Sequence, residues 1–353
     1  MAKLKSLYLS SAHTSSGKTE IALGIATMLE ERGYSIGYFK PFGRAKGKSS
    51  MDTEAQVMAK IFGLDEALIS PTFLDPVYFE TMKKNQDSLR DRIHAGYNVM
   101  KDAYDFVIIE GAKKYNNYMS FQLDDASLSV QFESPVISIN MFERDEDICD
   151  LLTQKEIMQA RNANYAGSLF TRVPKIMVDR LQQEFIPYIE TLGIKTFGVL
   201  PFDARIAAPT FREIMEEIGG QLLDEDESIY NLDVLVFTIM IGAMSSHSAL
   251  SYLRSGKKGV IITGGDRSDI VLTALETDIV GVILTGNLYP DQHVISAARE
   301  KGVPILLVPY DTFTTTTKVE QTSAGLQIEE KQVCKEMVER AINIDEIIEL
   351  LTP

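Results

Sequence analysis

The sequence is poor in residues that form disulfides or structural metal sites. It contains two cysteines, Cys149 and Cys334, and four histidines in 353 residues. The cysteines lie far apart and form no CxxC pair, which is typical of ordinary thiols in a reducing compartment. The histidines show no HExxH spacing and have no neighbouring cysteine, so a structural zinc site is not expected.

Positive charge and long apolar runs are also scarce. The 35 Lys and Arg residues are outnumbered by 50 Asp and Glu residues, for a formal net charge of −15. This balance argues against a broad surface for nucleic acid or anionic membrane, but it leaves room for a local pocket that holds a small phosphate. The apolar run at residues 7–9 is too short for a secretory signal or a membrane span. We therefore expect a cytoplasmic protein with no nucleic-acid or membrane partner.

The chain has the composition and periodicity of a two-domain α/β protein. Hydrophobic residues make up 45% and charged residues 24% of its 353 residues, a balance and a length that favour two globular domains. Short apolar runs alternate with helical stretches, which predicts a doubly wound, mostly parallel sheet and then a smaller α/β unit. An acidic stretch at residues 224–231 predicts the boundary, giving domains at 1–223 and 224–353.

Periodicity also locates individual elements. A predicted helix at residues 20–32 carries Ile21, Ile25 and Leu29 on one face. The chain after Thr322 is expected to form a single amphipathic helix that covers the second domain or a partner. Strands are predicted at residues 6–10, 36–39, 106–109, 136–139, 167–170 and 197–200 in the first domain, and at 234–237, 260–263, 280–285 and 305–308 in the second.

A phosphate-binding loop is predicted between the first strand and the first helix. Residues 12–19 read Ala-His-Thr-Ser-Ser-Gly-Lys-Thr, and small residues before a helix let backbone N–H groups surround phosphates. Lys18 is expected to reach the β- and γ-phosphates, and the Thr19 hydroxyl to bind Mg²⁺. Ala12 or Ser11 replaces the usual first glycine, so a differently shaped loop or a chance GKT is the alternative. The residues expected to bind nucleotide are His13, Thr14, Ser15, Ser16, Gly17, Lys18 and Thr19.

Further charged residues are predicted at the same edge of the sheet. Lys40 follows the second strand and is expected to be a second cation beside the phosphates or an anchor for a substrate carboxylate, with an ordinary solvated lysine as the alternative. Asp52 and Glu54 open a helix, so they either cap it or hold Mg²⁺. Glu110 closes a predicted strand, where it faces the metal or, as the alternative, points to water. A basic island follows Lys40 and consists of Arg44, Lys46 and Lys48.

The first domain resembles the dethiobiotin synthetase-like P-loop domain. That fold also serves cobyrinic acid a,c-diamide synthases and the N-terminal part of long phosphate acetyltransferases. The resemblance rests on the GKT of residues 17–19, Lys40-Pro41, Glu110-Gly111-Ala112 and the Gly-Val-Leu-Pro of residues 198–201. It implies ATP bound with Mg²⁺, with Lys18 and Lys40 as catalytic lysines and Thr19, Asp52 and Glu110 as metal residues.

Three departures weaken a synthetase assignment. Arg44 stands where a small hydroxyl residue is expected, and Thr171 replaces the Asn that usually reads adenine. Residues 113–115 read Lys-Lys-Tyr where a glycine-rich continuation is expected.

The second domain resembles the DRTGG domain that follows the P-loop domain in those acetyltransferases. Residues 241–244, 264–269, 284–286 and 309–312 carry this match. Arg267 opposes the dipole of the helix that it starts, so it is expected to meet either a small anionic effector or, as the alternative, a salt bridge to Asp269 or another domain. The ligand site predicted at this edge consists of Gly264, Gly265, Asp266, Arg267, Asp269, Thr285, Gly286 and Asn287.

Three functions are compatible with these residues. The leading hypothesis is a nucleotide-dependent regulator of acetyl-phosphate or acyl-CoA metabolism that binds ATP and Mg²⁺. The second is an ATP-dependent ligase that activates a carboxylate or carbamate, and the third is a scaffold with a vestigial P-loop. We also expect a homodimer, since symmetric dimers are the commonest closed assembly.

Overall fold

The computed structural model describes residues 5–43, 52–73, 78–203, 208–224, 230–320, 322 and 325–352, without the side chains of residues 246–248, 251 and 255. The chain forms two compact units, Met1–Ile206 with Leu326–Pro353, and Ala207–Gly325. The predicted α/β class is confirmed, because parallel sheets dominate both units. The boundary between the units lies between Ile206 and Ala207, before the predicted boundary at residue 223. The basic island Arg44, Lys46 and Lys48 and residues 225–229 of the acidic stretch lie outside the described residues.

The first unit is built on a parallel sheet whose strands match the predicted ones, some extended by a few residues. Its strands are β1 Ser6–Ser10, β2 Ile36–Phe39, β3 Phe42–Gly43, β4 Thr72–Phe73, β5 Phe106–Glu110, β6 Val136–Met141, β7 Tyr165–Val173 and β8 Thr196–Pro201. Six of them pair in the order β2-β5-β1-β6-β7-β8, and β3 pairs with β4 separately. Every residue of β1 and β5 is buried, as expected for strands covered on both faces.

Helices cover this sheet. They are α1 Lys18–Glu31, α2 Thr53–Phe62, α3 Glu66–Ile69, α4 Phe79–Ala103, α5 Asp125–Gln131, α6 Asp147–Ala160, α7 Val178–Arg180 and α8 Ile186–Thr191. The predicted apolar face of α1 is confirmed, since Ile21, Ile25 and Leu29 are buried. The chain turns away after α1 at Gly33, whose φ of 85° favours glycine. No helix within the described ranges is both long and apolar enough to cross a membrane.

The second unit has a five-stranded sheet. Its strands are β9 Gln221–Leu222, β10 Thr238–Ile241, β11 Gly259–Gly264, β12 Ile279–Thr285 and β13 Ile305–Leu307. Their order is β10-β11-β12-β13-β9, and β9 runs antiparallel to β13. Its helices are α9 Phe211–Ile218, α10 Ser246–Ser255, α11 Ser268–Ala274, α12 Gln292–Lys301 and α13 Thr312–Glu320. Because β9 pairs with β13 and the apolar side chains of α9 pack against this sheet, the unit begins before the predicted boundary.

One second-unit strand was predicted four residues too early. Residues 234–237 were expected to form the strand, whereas β10 begins at Thr238, where it meets Gly259 of β11. Leu235 instead makes an isolated antiparallel bridge with Thr210. Residues 234–236 therefore pair with the segment at the start of α9 rather than with the parallel sheet.

The C-terminal segment packs on the first unit. It forms two helices, α14 Lys331–Ala341 and α15 Ile344–Leu351, rather than the single predicted helix, because Asn343 accepts the Asp345 N–H and starts a new helix. The buried face of α14 lies against α1, where a Cβ added to Gly24 would come 2.3 Å from Val338 Cγ2. The expectation that this segment covers the second domain is wrong, since its apolar side chains complete the core around α1.

Candidate functional site

The predicted phosphate loop lies between β1 and α1, at the carboxyl end of a central strand. This is the edge at which parallel sheets commonly bind ligands. Gly17 has a left-handed backbone with φ of 86°, which favours glycine, and its carbonyl accepts the Ile21 N–H at 3.0 Å. Ala12 has no positive φ, so an alanine in place of the usual first glycine causes no backbone strain here.

The loop presents unsatisfied polar groups. The N-cap residue of α1 is Gly17, which has no side chain to cap the helix. The Ser16 hydroxyl is buried and has no hydrogen-bond partner in the described part of the chain. The Ser11 hydroxyl donates to the His13 carbonyl at 2.9 Å and accepts from the His13 N–H at 3.0 Å. Thr14 and Ser15 are exposed. A helix start with glycine at its N-cap, beside an unsatisfied hydroxyl, is a site suited to an anion.

Lys18 and Thr19 are the first residues of α1, and both are buried, with 7% and 5% of their surfaces exposed. Lys18 Nζ donates a long hydrogen bond of 3.4 Å to the Lys113 carbonyl. Burial lowers the pKa of Lys18, and the nearby Glu110 opposes that shift. A buried ammonium held by a long bond to a neutral carbonyl is well placed to exchange that bond for one to phosphate.

Lys40 lies among carboxylates. Its Nζ is 3.3 Å from Asp52 Oδ2 and 3.3 Å from Glu110 Oε1, and it makes a shorter contact with Glu54. Burial acts to lower the pKa of Lys40, but Glu110, Glu54 and Asp52 outweigh it and hold the pKa well above its usual range. The structure therefore brings the predicted lysine and the predicted metal carboxylates to one point.

Other groups hold two of these carboxylates in place. Asp52 caps α2 by accepting the Ala55 N–H at 2.9 Å, so the capping role is observed. The Tyr38 hydroxyl donates to Glu110 Oε2 at 2.7 Å. Convergent carboxylate oxygens are the ligands that Mg²⁺ prefers, so the chemistry of these two residues fits the predicted metal.

Asp125 is a site residue that sequence reasoning missed. It accepts hydrogen bonds from the Ser10 hydroxyl at 2.6 Å, the Ala112 N–H at 3.0 Å and the Tyr8 hydroxyl at 3.2 Å. Burial raises the pKa of Asp125 to about 7, although these bonds oppose the shift. A Cβ added to Gly111 would lie 2.4 Å from this carboxylate. Asp125 therefore holds the turn after Glu110 in place. No local sequence pattern indicates this role.

Thr171 and its neighbour support the loop from β7. The Thr171 hydroxyl donates to the Ser16 carbonyl at 2.7 Å, so the residue at the expected adenine-reading position contacts the loop backbone. Arg172 lies 3.7 Å from Glu20 in the first turn of α1. Burial raises the pKa of Glu20 to about 7, against the opposing charge of Arg172. Both contacts join residues about 150 positions apart, which explains why sequence spacing did not show them.

His13 is paired with α6. Its Nε2 lies 3.2 Å from Asp150 Oδ2. Asp147 is also near, so that one possible metal-ligand atom from each of His13, Asp147 and Asp150 lies within 4.8 Å of the other two. Asp147 is already engaged, because Oδ2 accepts the N–H groups of Glu143 and Arg144 at 2.7 and 2.9 Å. The arrangement ties the phosphate loop to the start of α6.

The predicted second-unit residues lie at the carboxyl edge of their sheet, where Arg267 and Thr285 bond other groups of the protein. Arg267 Nε pairs with Asp269 Oδ1 at 3.2 Å, and its guanidinium donates to the Met244 carbonyl at 2.9 Å. The Thr285 hydroxyl lies 3.1 Å from that of Thr312. The salt bridge that was the alternative to an anionic effector is therefore present in the structure.

The remaining residues at this edge shape the backbone. A Cβ added to Gly265 would lie 1.6 Å from a neighbouring carbonyl oxygen, and one on Gly264 would lie 2.5 Å from Asp266 Oδ1. Gly286 and Asn287 have φ of 74° and 54°, and their N–H groups donate to backbone carbonyls after β13 at 2.7 and 2.9 Å. Close packing and turn geometry therefore explain the residue types at these positions.

Known proteins match the chain over both units. A family model described as a DRTGG domain matches residues 213–322. Phosphate acetyltransferase from Nitratidesulfovibrio vulgaris is 25% identical over 335 residues, covering 88% of this chain and 46% of the relative. Phosphate acetyltransferase from Synechocystis sp. is 25% identical over 345 residues, covering 91% of this chain and 48% of the relative. The chain thus spans about half the length of the curated relatives it matches.

One similar solved structure is that of the CBS and DRTGG domains from the regulatory region of Clostridium perfringens pyrophosphatase, complexed with its activator diadenosine tetraphosphate. The alignment covers 41% of this chain and 70% of that chain, at 17% identity and a TM-score of 0.30. A second family model, described as an AAA domain, matches residues 5–210, which is more than half of the chain and includes the phosphate loop. The predicted order of a P-loop domain before a DRTGG domain is confirmed. The chain belongs to the AAA domain family, with a DRTGG domain after its P-loop domain.

Proposed function

We propose that the first unit binds ATP with Mg²⁺ at the phosphate loop. The start of α1 carries this proposal, because its N-cap residue is Gly17, which makes no side-chain cap, and the buried Ser16 hydroxyl beside it is unsatisfied among the described residues. Lys18 adds a buried positive charge at the same place. A phosphate group supplies the acceptors and the negative charge that all of these groups lack.

The residues divide the work of binding. Backbone N–H groups of residues 14–17 would surround the phosphates, and Lys18 would neutralise their charge. Thr19, Asp52 and Glu110 would hold Mg²⁺ by oxygen atoms. When bound, Mg²⁺ supplies positive charge to the phosphate oxygens.

We further propose that nucleotide occupancy regulates acetyl-phosphate or acyl-CoA metabolism, for example through a separate acetyltransferase. The support is that phosphate acetyltransferases align with about nine-tenths of this chain, over less than half of their own length. A ligase would use Lys40 at the transferred phosphoryl group. Carboxylates hold Lys40 in this structure, and hydrolysis, not this contact, separates a ligase from a regulator. The buried Lys18 favours either function over a vestigial loop.

Stability measurements with a matched lysine control test nucleotide binding. Mg·ATP at about a hundred times its dissociation constant should add roughly 2.7 kcal/mol to the free energy of unfolding. Lys18→Ala should lose most of that gain, and the exposed Lys83→Ala should keep it. If Lys18→Ala gains as much as the wild type, the nucleotide binds elsewhere and the proposal is wrong.

Hydrolysis assays separate the two functional classes. A ligase consumes ATP faster when its acid substrate is present, since the acid accepts the phosphoryl group. A regulator binds Mg·ATP without such stimulation. Phosphate release that rises with one of a panel of small carboxylates would favour the ligase.

A further inference from the structure

The Lys40 ammonium fills the point where the carboxylates of the site converge. Its Nζ lies 3.3 Å from Asp52 Oδ2 and 3.3 Å from Glu110 Oε1, and it contacts Glu54. Lys40, Asp52 and Glu110 are each at most 5% exposed. The Lys40 charge therefore faces two buried carboxylates and a third, that of Glu54, whose side chain is 31% exposed.

The carboxylates are held by other contacts as well. The Ala55 N–H fixes Asp52 at 2.9 Å, and the Tyr38 hydroxyl fixes Glu110 at 2.7 Å. These bonds come from α2 and β2 and do not depend on the Lys40 side chain. The oxygen atoms would thus stay convergent if the ammonium left, and a convergent set of buried oxygens suits a small divalent cation.

The lysine, in contrast, has a long and flexible side chain. Its backbone is anchored by a hydrogen bond from the Lys40 N–H to the Ile69 carbonyl at 2.8 Å, while four side-chain carbons separate that anchor from Nζ. A divalent cation and an ammonium repel each other strongly at such short range, so they do not share the same oxygens.

We propose that Lys40 is an exchangeable counter-cation, which occupies the carboxylate cluster when no divalent metal is bound and leaves it when the metal binds. The released ammonium then becomes available to the phosphates of the bound nucleotide. This inference rests on the proposed Mg·ATP site and adds to it that metal binding frees the second lysine. Metal and phosphate binding are coupled as a result, because each is favoured by the same movement of one charge.

Metal binding without nucleotide tests the exchange. In Lys40→Met no ammonium competes for the oxygens, so Mn²⁺ alone, titrated by electron paramagnetic resonance, should bind at least about tenfold more tightly than to the wild type. Lys18→Met is the matched control, since it removes an equally buried charge that bonds the Lys113 carbonyl, and its effect should be clearly smaller. Unchanged or weaker Mn²⁺ binding by Lys40→Met overturns the proposal, as does an equal gain in both variants.

Lysine labelling of the wild type covers the case in which Lys40→Met fails to fold. Reductive methylation read by mass spectrometry should modify Lys40 several-fold faster with Mn²⁺ than without it, because the ammonium leaves its carboxylate partners. Labelling of Lys83, exposed and remote in sequence, should not change. Equal Lys40 labelling at Mn²⁺ concentrations that saturate the protein contradicts the exchange.

Failure of this inference is distinguishable from failure of the proposed function. Mg·ATP stabilisation that depends on Lys18, without tighter Mn²⁺ binding by Lys40→Met, would leave the nucleotide site in place and remove the exchange. Tighter Mn²⁺ binding with no Mg·ATP stabilisation would keep the exchange and remove the nucleotide.

Discussion

Asp125→Asn should change how the stability of the first unit depends on pH. Burial raises the pKa of Asp125 from 3.8 to about 7, against hydrogen bonds from Ser10 and the Ala112 N–H. Between these two values the folded protein keeps a proton that the unfolded chain has released. Stability from this group is therefore greatest at low pH, falls as pH rises toward about 7, and then levels off.

The size of the effect follows from the two pKa values. The shift from 3.8 to about 7 spans about three units, or about 4 kcal/mol in full at 1.36 kcal/mol per unit. Between about pH 5.5 and about pH 8 the loss is about 2 kcal/mol. The side chain is 1% exposed, so solvent screening calls for no large discount.

Urea unfolding followed by circular dichroism at those two pH values measures this difference. The wild type should lose about 2 kcal/mol more than Asp125→Asn on going from about pH 5.5 to about pH 8. Glu20 titrates in both proteins and cancels in the comparison. Asp102→Asn makes the same change on an exposed side chain and should behave as the wild type. If Asp125→Asn loses as much stability as the wild type, Asp125 does not hold the buried proton.

Two further predictions concern the second unit and assembly. Arg267→Ala should lower the free energy of unfolding by about 0.5–1 kcal/mol, since it removes the contacts to Asp269 and Met244. Calorimetry should show that its Mg·ATP affinity is unchanged. A several-fold change in Mg·ATP affinity that appears only with a small anion such as phosphate would support the effector hypothesis instead. The homodimer predicted from symmetry should appear in sedimentation at micromolar concentration, and a 39.4 kDa species alone would contradict it.

The sheet and the loop were predictable because their signals are local. Strands such as Phe106–Glu110 are short, apolar and buried on both faces, so a run of Val and Ile is enough to indicate them. The loop needs glycine at Gly17, where φ is 86°, and a helix directly after it. Both requirements lie within a few residues in the sequence. Lys40, Asp52 and Glu110 were likewise predictable as a group from their places at strand ends and a helix start.

The partners of these residues were not predictable, because they join distant parts of the chain. The Asp125 carboxylate meets Ser10 across 115 positions, and an Asp beside another Asp at a helix start is ordinarily a cap. Val338 packs against Gly24 of α1, yet its helix has the amphipathic pattern of any surface helix. Strand β10 starts at Thr238, four residues after the predicted start, because Leu235 in the preceding apolar run pairs with Thr210 instead. In each case tertiary packing, and not local preference, decides the outcome.

Hydrogen exchange with and without Mg·ATP tests the central claim most directly, since it locates the nucleotide. Peptides covering residues 11–19 should exchange more slowly with Mg·ATP, because phosphate would accept the backbone N–H groups of the loop. The same peptides of Lys18→Ala should show little change at the same nucleotide concentration. Protection confined to Ala207–Gly325, with residues 11–19 unaffected, would contradict the account and place the nucleotide in the second unit.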